Sequence, residues 1–297
     1  MSWKKIAVTL AVSALAVTLP AGTAAAAKRP KPGPETAVPA QCWVGTTGFT
    51  RKAQMDRAWY DGSTGEWTMD AWTTARGPFV PEAYTIIGEY GATGELHHRT
   101  AWSVSPDGTL YQVEEHGTVS SGTMNVDVQH TAFASGWEGT TELVPAYPHL
   151  YRLSADGLTR SEYRTPSVAG EALAGDWSDV TSMVQVDQDY VDGAYLSATF
   201  YVIRSSGALD QIVIGTEPGA VPVVTNLQAS GFADVVDLSS GSCSNPDYPE
   251  GMPLLGITKR GEARVWFDAD LTNGSGADIT GGSGPVGNKL KETFFGQ

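Results

Sequence analysis

A chain of 297 residues with a formal net charge of −14 has the length of one large domain or two small ones. Its acidic surface repels phosphate backbones and anionic lipid, so nucleic acid and membranes are not expected partners. Two cysteines among 297 residues make neither a disulfide-dense scaffold nor the C-x-x-C spacing that structural zinc favours.

The chain opens with Lys4 and Lys5, an apolar run from Ile6 to Leu19 and a small-residue stretch ending at Ala24 to Ala27. A basic head, a short apolar run and an A-x-A exit predict a secretory signal peptide over residues 1–27. The run is too short for the roughly 20 residues of a membrane span, so secretion without membrane insertion is expected. Residues 28–40, KRPKPGPETAVPA, hold four prolines and no apolar period, which predicts an extended polyproline leader. Residues 41–297 then form the globular part. Cys42 and Cys243 are its two cysteines, and in an oxidising compartment they are expected to pair. Closing a loop of that length would contribute roughly 4–5 kcal/mol in the chain-entropy picture.

From residue 41 onward the apolar residues come in short alternating runs broken by turn residues, which predicts an all-β protein. Four segments align: AWSVSPDGTLYQVEE from Ala101, LYRLSADGLTRSEY from Leu150, FYVIRSSGALDQIVI from Phe200 and LLGITKRGEARVWFD from Leu254. Each is a strand, a glycine turn and a second strand. Their glycines, Gly108, Gly157, Gly207 and Gly261, are 49, 50 and 54 residues apart. A more worn copy, CWVGTTGFTRKAQMD from Cys42, places Gly48 at its turn. Between the hairpins runs a second signature in phase with the first: AYTIIGEYG with Tyr84, GWEGTTELV with Trp137, DWSDVTSMV with Trp177 and GFADVVDLS with Phe232. A final copy is expected at ADITGGSG near Asp278, without its aromatic. A unit of about 50 residues carrying about four short strands is one propeller blade. Five hairpins predict a β-propeller of five blades, each a four-stranded antiparallel sheet. Six follow if the C-terminal KETFFGQ joins an N-terminal strand in a separate blade. The Cys42–Cys243 pair would tie blade one to blade five.

The small residue–Trp pair, the strand, and the leucine-tyrosine strand ending in D-G-x-L resemble the tachylectin-type five-bladed propellers. The match is best at SPDGTLYQV from Ser105, HLYRLSADGL from His149, Gly136-Trp137 and Asp176-Trp177. It extends over residues 83–278. The resemblance implies a multivalent lectin with an N-acetylated sugar at each blade junction. It puts Trp137, Trp177 and Phe232 at or beside sugar sites, with Tyr84 as a fourth.

Each repeating aromatic has a bland reading beside this one, in which a large ring at the same place in every blade packs against the next blade. Trp43, Trp59, Trp67, Trp72, Trp102 and Trp266 lie on strands or their ends and are expected in the core. None of the histidines His97, His98, His116, His130 and His149 forms a metal motif in sequence. They are expected at the surface, with no metal and no cofactor. The carboxylate run at Asp187, Asp189 and Asp192 lacks calcium-loop spacing. No G-x-S-x-G elbow is present, and no carboxylate pair is marked as acid and base, so catalysis is not expected. The leading expectation is a secreted, non-catalytic, carbohydrate-binding protein. The alternatives are a module that binds another exported protein, such as a protease, and a propeller glycosidase.

Overall fold

The structure is a computed structural model that describes residues 38–90, 96–120, 123–287 and 290–296. The expected signal peptide and all but the last three residues of the leader lie outside them. The described residues form strands and no helix.

Five antiparallel blades follow one another along the chain, the first and last joined into one 8-stranded sheet. Blade one has β1 (Cys42–Phe49), β2 (Gln54–Asp61) and β3 (Glu66–Arg76). Blade two has β4 (Ala83–Tyr90), β5 (Leu96–Val104), β6 (Leu110–Ser120) and β7 (Thr123–Ala134). Blade three has β8 (Thr140–Ala146), β9 (His149–Ser154), β10 (Gly157–Glu162) and the short β11 (Glu171–Ala172). Blade four has β12 (Val180–Val191), β13 (Ala194–Arg204), β14 (Leu209–Gly215) and β15 (Val223–Gln228). Blade five has β16 (Val235–Cys243), β17 (Met252–Thr258), β18 (Ala263–Asp268) and β19 (Ile279–Gly281). The last strand, β20 (Thr293–Phe295), pairs antiparallel with β1 and supplies the fourth strand of blade one.

The innermost strands meet in a ring. β4 packs on β8, β8 on β12, β12 on β16, β16 on β20 and β20 on β4. The C-terminal strand therefore completes blade one instead of founding a sixth blade. Gly48, expected at the first hairpin turn, lies within β1 opposite Phe294. A Cβ there would come within 2.7 Å of the Phe294 ring, so the glycine makes room for the closing strand. The turn itself is Thr50 to Ala53, where the Ala53 N–H donates to the Thr50 carbonyl. Ala53 takes the positive φ of 56° that glycine takes in the other four hairpins.

Five apolar layers fill the five junctions. Phe49, Met55 and Tyr84 lie between blades one and two, and Trp102, Trp137, Leu143 and Leu150 between two and three. Tyr151, Trp177 and Phe200 lie between three and four. Phe232, Leu238 and Trp266 lie between four and five, and Val44, Tyr60, Leu255 and Phe294 between five and one. Period-2 alternation feeds two layers at once. On β13, Phe200 and Val202 face one junction while Tyr201 and Ile203 face the next. On β20, Phe294 and Phe295 do the same for the two sides of blade one. Packing begins before Gln41, because Val38 is fully buried in the layer between blades five and one.

Cys42 and Cys243 are register partners in the β1–β16 ladder and form a disulfide across a sequence separation of 201. Replacing both with alanine removes the cross-link without leaving a free thiol. Denaturant unfolding is expected to show a loss approaching the chain-entropy ceiling of about 4–5 kcal/mol. An unchanged midpoint would mean that the β1–β16 and β1–β20 ladders close the ring unaided.

Candidate functional site

The two sequence signatures meet in space. At the junctions that follow blades two, four and five the hairpin turn of one blade receives the loop that leads into the next. The Trp137 N–H donates to the Gly108 carbonyl at 2.9 Å, and the Phe232 N–H to the Gly207 carbonyl at 3.0 Å. Each aromatic carbonyl then accepts from the residue three further on: Thr140 at 3.3 Å, Val180 at 3.2 Å and Val235 at 3.0 Å for Trp137, Trp177 and Phe232. Glycine is required at the receiving turn. A Cβ on Gly207, at φ +85°, would lie 2.7 Å from the Ala233 backbone.

This geometry relocates two copies of the signature. In the last junction the Leu290 N–H donates to the Gly261 carbonyl at 3.1 Å, so Leu290, three residues before β20, takes the aromatic's place. The expected copy near Asp278 is instead β19, the outer strand of blade five. In blade two the residue three before β4 is Val80, and Tyr84 lies within β4 itself.

Trp137 and Phe232 are fully buried, and Tyr84 and Trp177 are 2% and 5% exposed. The Tyr84 hydroxyl donates to the buried Glu115 carboxylate. Phe232 stacks on Trp266 with ring centroids 4.9 Å apart, and the Arg152 guanidinium lies 5.4 Å from the Trp137 ring centroid. Trp177 donates its indole N–H to the Leu173 carbonyl at 3.2 Å. It also borders a cleft of about 210 Å³ with Asp156, Gly157, Gly175, Asp176 and Ser178.

A larger groove, about 560 Å³, opens beside the disulfide and is lined by Trp43, Trp59, Arg57, Asp61, Ser63 and Ser244 among others. The β1–β2 register pairs Trp43 with Asp61, Gly45 with Trp59 and Thr47 with Arg57, which puts both indoles on one face of the sheet. Diagonal neighbours of this kind stand about 7–8 Å apart. Gly45 presents no side chain between them. Trp43 is 49% exposed, so the core expectation fails for this tryptophan, and Trp59 is only half-buried. The polar rim is braced by backbone bonds: the Gln41 N–H donates to Ser63 Oγ at 2.9 Å, the Ser63 N–H to Asp61 Oδ1 at 2.7 Å, and the Ser244 N–H to the Gln41 carbonyl at 3.0 Å. Strand alternation alone cannot find this groove, because Trp43 alternates correctly and the face it points to becomes a core only where another blade covers it.

A third concavity, about 580 Å³, is the mouth of the central channel. Glu82 beside β4, Thr141 and Glu142 of β8, Thr181 of β12, Asp237 of β16 and Thr293 of β20 all line it. Burial pushes the Asp237 carboxyl up to about 7. Glu142 is raised well above the usual carboxylate range, first by burial and then by the Asp237 charge. Asp237 Oδ2 has no hydrogen-bond partner among the described residues.

No family model matches the chain, and no curated protein does. Among solved structures it is similar to a mutant of AofleA from Arthrobotrys oligospora, at 13% identity, covering 86% of each chain, with a TM-score of 0.46. It is also similar to the SapL1 lectin in complex with alpha methyl fucoside, at 12% identity over 84% of this chain and 82% of that one, with a TM-score of 0.45. The BP39L lectin from Burkholderia pseudomallei matches at 13% identity over 84% of this chain and 70% of that one, with a TM-score of 0.41.

Two predictions separate packing from surface chemistry. Trp137→Ala empties the layer between blades two and three and is expected to cost about 3–5 kcal/mol, whereas Trp43→Ala is expected to cost less than about 1 kcal/mol, both measured by denaturant unfolding. The second concerns pH. The folded Asp237 binds its proton more tightly than the unfolded chain, with a value raised from 3.8 to about 7. Its contribution therefore favours folding below the unfolded value and is withdrawn as pH rises from about 4 to about 7. Asp237→Asn is expected to flatten that decline and to be the more stable form at pH 8, by up to about 4 kcal/mol. A stability–pH curve identical to that of the wild type would refute the assignment.

Proposed function

We propose that this is a secreted, non-catalytic, carbohydrate-binding propeller. The observation that carries the reading is the Trp43–Trp59 groove. Two indoles on one face, with a glycine between them, give flat apolar surface for the C–H face of a sugar ring. Arg57, Asp61, Ser63 and Ser244 on the rim supply donors and acceptors for its hydroxyls. The Trp177 cleft, on the junction of blades three and four, offers a second and smaller subsite. Of the four junction aromatics, Trp177 is the one proposed beside a sugar, while Tyr84, Trp137 and Phe232 are proposed to hold their junctions and to position the neighbouring loops. Two sites on different blades allow weak individual contacts to add up through avidity. Secretion is supported by the Cys42–Cys243 disulfide, since disulfides persist chiefly in oxidising compartments.

A second reading, in which another exported protein is the partner, draws support from a row of tyrosines. Tyr163, Tyr147, Tyr195 and Tyr190 follow one another with ring centroids 5.8, 5.1 and 4.7 Å apart. Tyr147, Tyr190, Val191 and Leu196 in this region are 44–58% exposed.

The deciding experiment is a broad glycan array followed by calorimetry, using wild type and the variants Trp43→Ala, Trp59→Ala and Trp177→Ala, each checked for folding by circular dichroism. Binding to a related set of glycans is expected to weaken at least tenfold in the Trp43 and Trp59 variants and to lose avidity in the third. An empty array, or affinity untouched by both groove variants, would sink the proposal and send the search to the tyrosine row.

A further inference from the structure

Blade two carries a second cluster of chemistry that the sugar reading does not use. Three ligand atoms, one each from His98, Glu114 and His116, lie within 4.8 Å of one another. They come from two strands. His98 of β5 and His116 of β6 are direct register partners, and their rings are 4.3 Å apart at the centroids. Glu114 precedes His116 by two residues and therefore shares its face of the sheet. Its Oε2 is 3.6 Å from His116 Nε2. On the far side of β6, Asp127 of β7 is the register partner of His116, which puts a further carboxylate on the same face.

We propose that His98, Glu114 and His116 form a binding site for one borderline-soft divalent cation, with zinc the best match. Two imidazoles and a carboxylate are a donor set that zinc takes at about 2.0–2.2 Å, with the remaining position left to water or a ligand. Those bond lengths place ligand atoms about 3.3–3.6 Å apart in a tetrahedral site, so small side-chain rotations from the present spacing close it. Calcium and magnesium prefer all-oxygen sets and are poor matches.

The sheet explains how separate histidines become one site. His98 and His116 are 18 residues apart in sequence, with no H-x-x-x-H spacing, and only the β5–β6 register brings them together. The location keeps His116 and Glu114 accessible. β9 of blade three is 6 residues long, whereas β5 and β6 have 9 and 11. Blade two thus runs on past the sheet that covers its face, and the His116 and Glu114 side chains remain 44% and 45% exposed. The net charge of −14 adds a general attraction for cations.

The test uses untagged protein, because a histidine tag would supply a competing site. Zinc chloride titrated by calorimetry is expected to bind at one ion per chain and to raise the melting temperature, with calcium and magnesium unable to displace it. His98→Gln and His116→Gln are each expected to weaken binding at least tenfold. Glu114→Gln should weaken it less, and His149→Gln on blade three should leave it unchanged. Copper(II) loaded at the site should show paramagnetic resonance coupling to two imidazole nitrogens in the wild type and to one in either histidine variant. No zinc uptake at millimolar concentration, or full affinity in both histidine variants, would overturn the site. Should a variant fold poorly, the copper spectrum of the wild type alone decides whether two imidazoles share one ion.

Discussion

The fold depends on one recurring contact, in which the hairpin turn of a blade receives the loop that leads into the next. At three junctions the turn carbonyl takes the loop's N–H, and the residue carrying that N–H drops a large side chain into the layer between the sheets. Trp137 on Gly108 and Phe232 on Gly207 are the clearest cases, and Leu290 on Gly261 makes the same bond at the point where the ring closes. A single blade has two apolar faces and cannot bury either alone. Each contact therefore stabilises two sheets, and the ring is stable only when every junction is filled. Closure falls to β20, whose two phenylalanines serve the layers on either side of blade one.

This arrangement separates scaffold from chemistry. The largest aromatics are spent on junctions, where full burial of a Phe or Leu-sized side chain is worth about 1.5–3 kcal/mol. On the proposed reading, recognition falls to faces that the ring does not cover. The Trp43–Trp59 groove lies at one such margin, at the end of β1 beside the disulfide. The histidine cluster lies at another, where blade two outruns blade three. The channel mouth is a third, and there the raised Asp237 and Glu142 mark the cost of holding carboxylates of β16 and β8 out of water.

Similarities between blades carry the fold, and the proposed sites lie where the blades differ. The hairpin glycines and loop aromatics recur because every junction poses the same steric problem. Exposed Trp43, the His98–His116 pair and the tyrosine row belong to single blades or single junctions and leave no periodic trace. A protein whose sites are not repeated suits unlike ligands on unlike faces better than several equal sites for one sugar.

The all-β class, the 50-residue unit, five blades and the cysteine pairing were all legible in the chain itself. Each rests on local physics: strand alternation, the positive φ of hairpin turns, and the tendency of two lone cysteines to pair in an oxidising compartment. What the chain could not reveal were facts about neighbours distant in sequence. Gly48 reads as a turn glycine until Phe294, 246 residues later, is laid against it. Val80 and Leu290 do not read as counterparts of tryptophan, because a junction selects for volume at a place and not for aromatic character. Trp43 and Trp102 look alike along their strands, yet one is 49% exposed and the other 1%. Alternation decides which face a side chain takes, and only the packing of the ring decides which faces meet another sheet and which meet water.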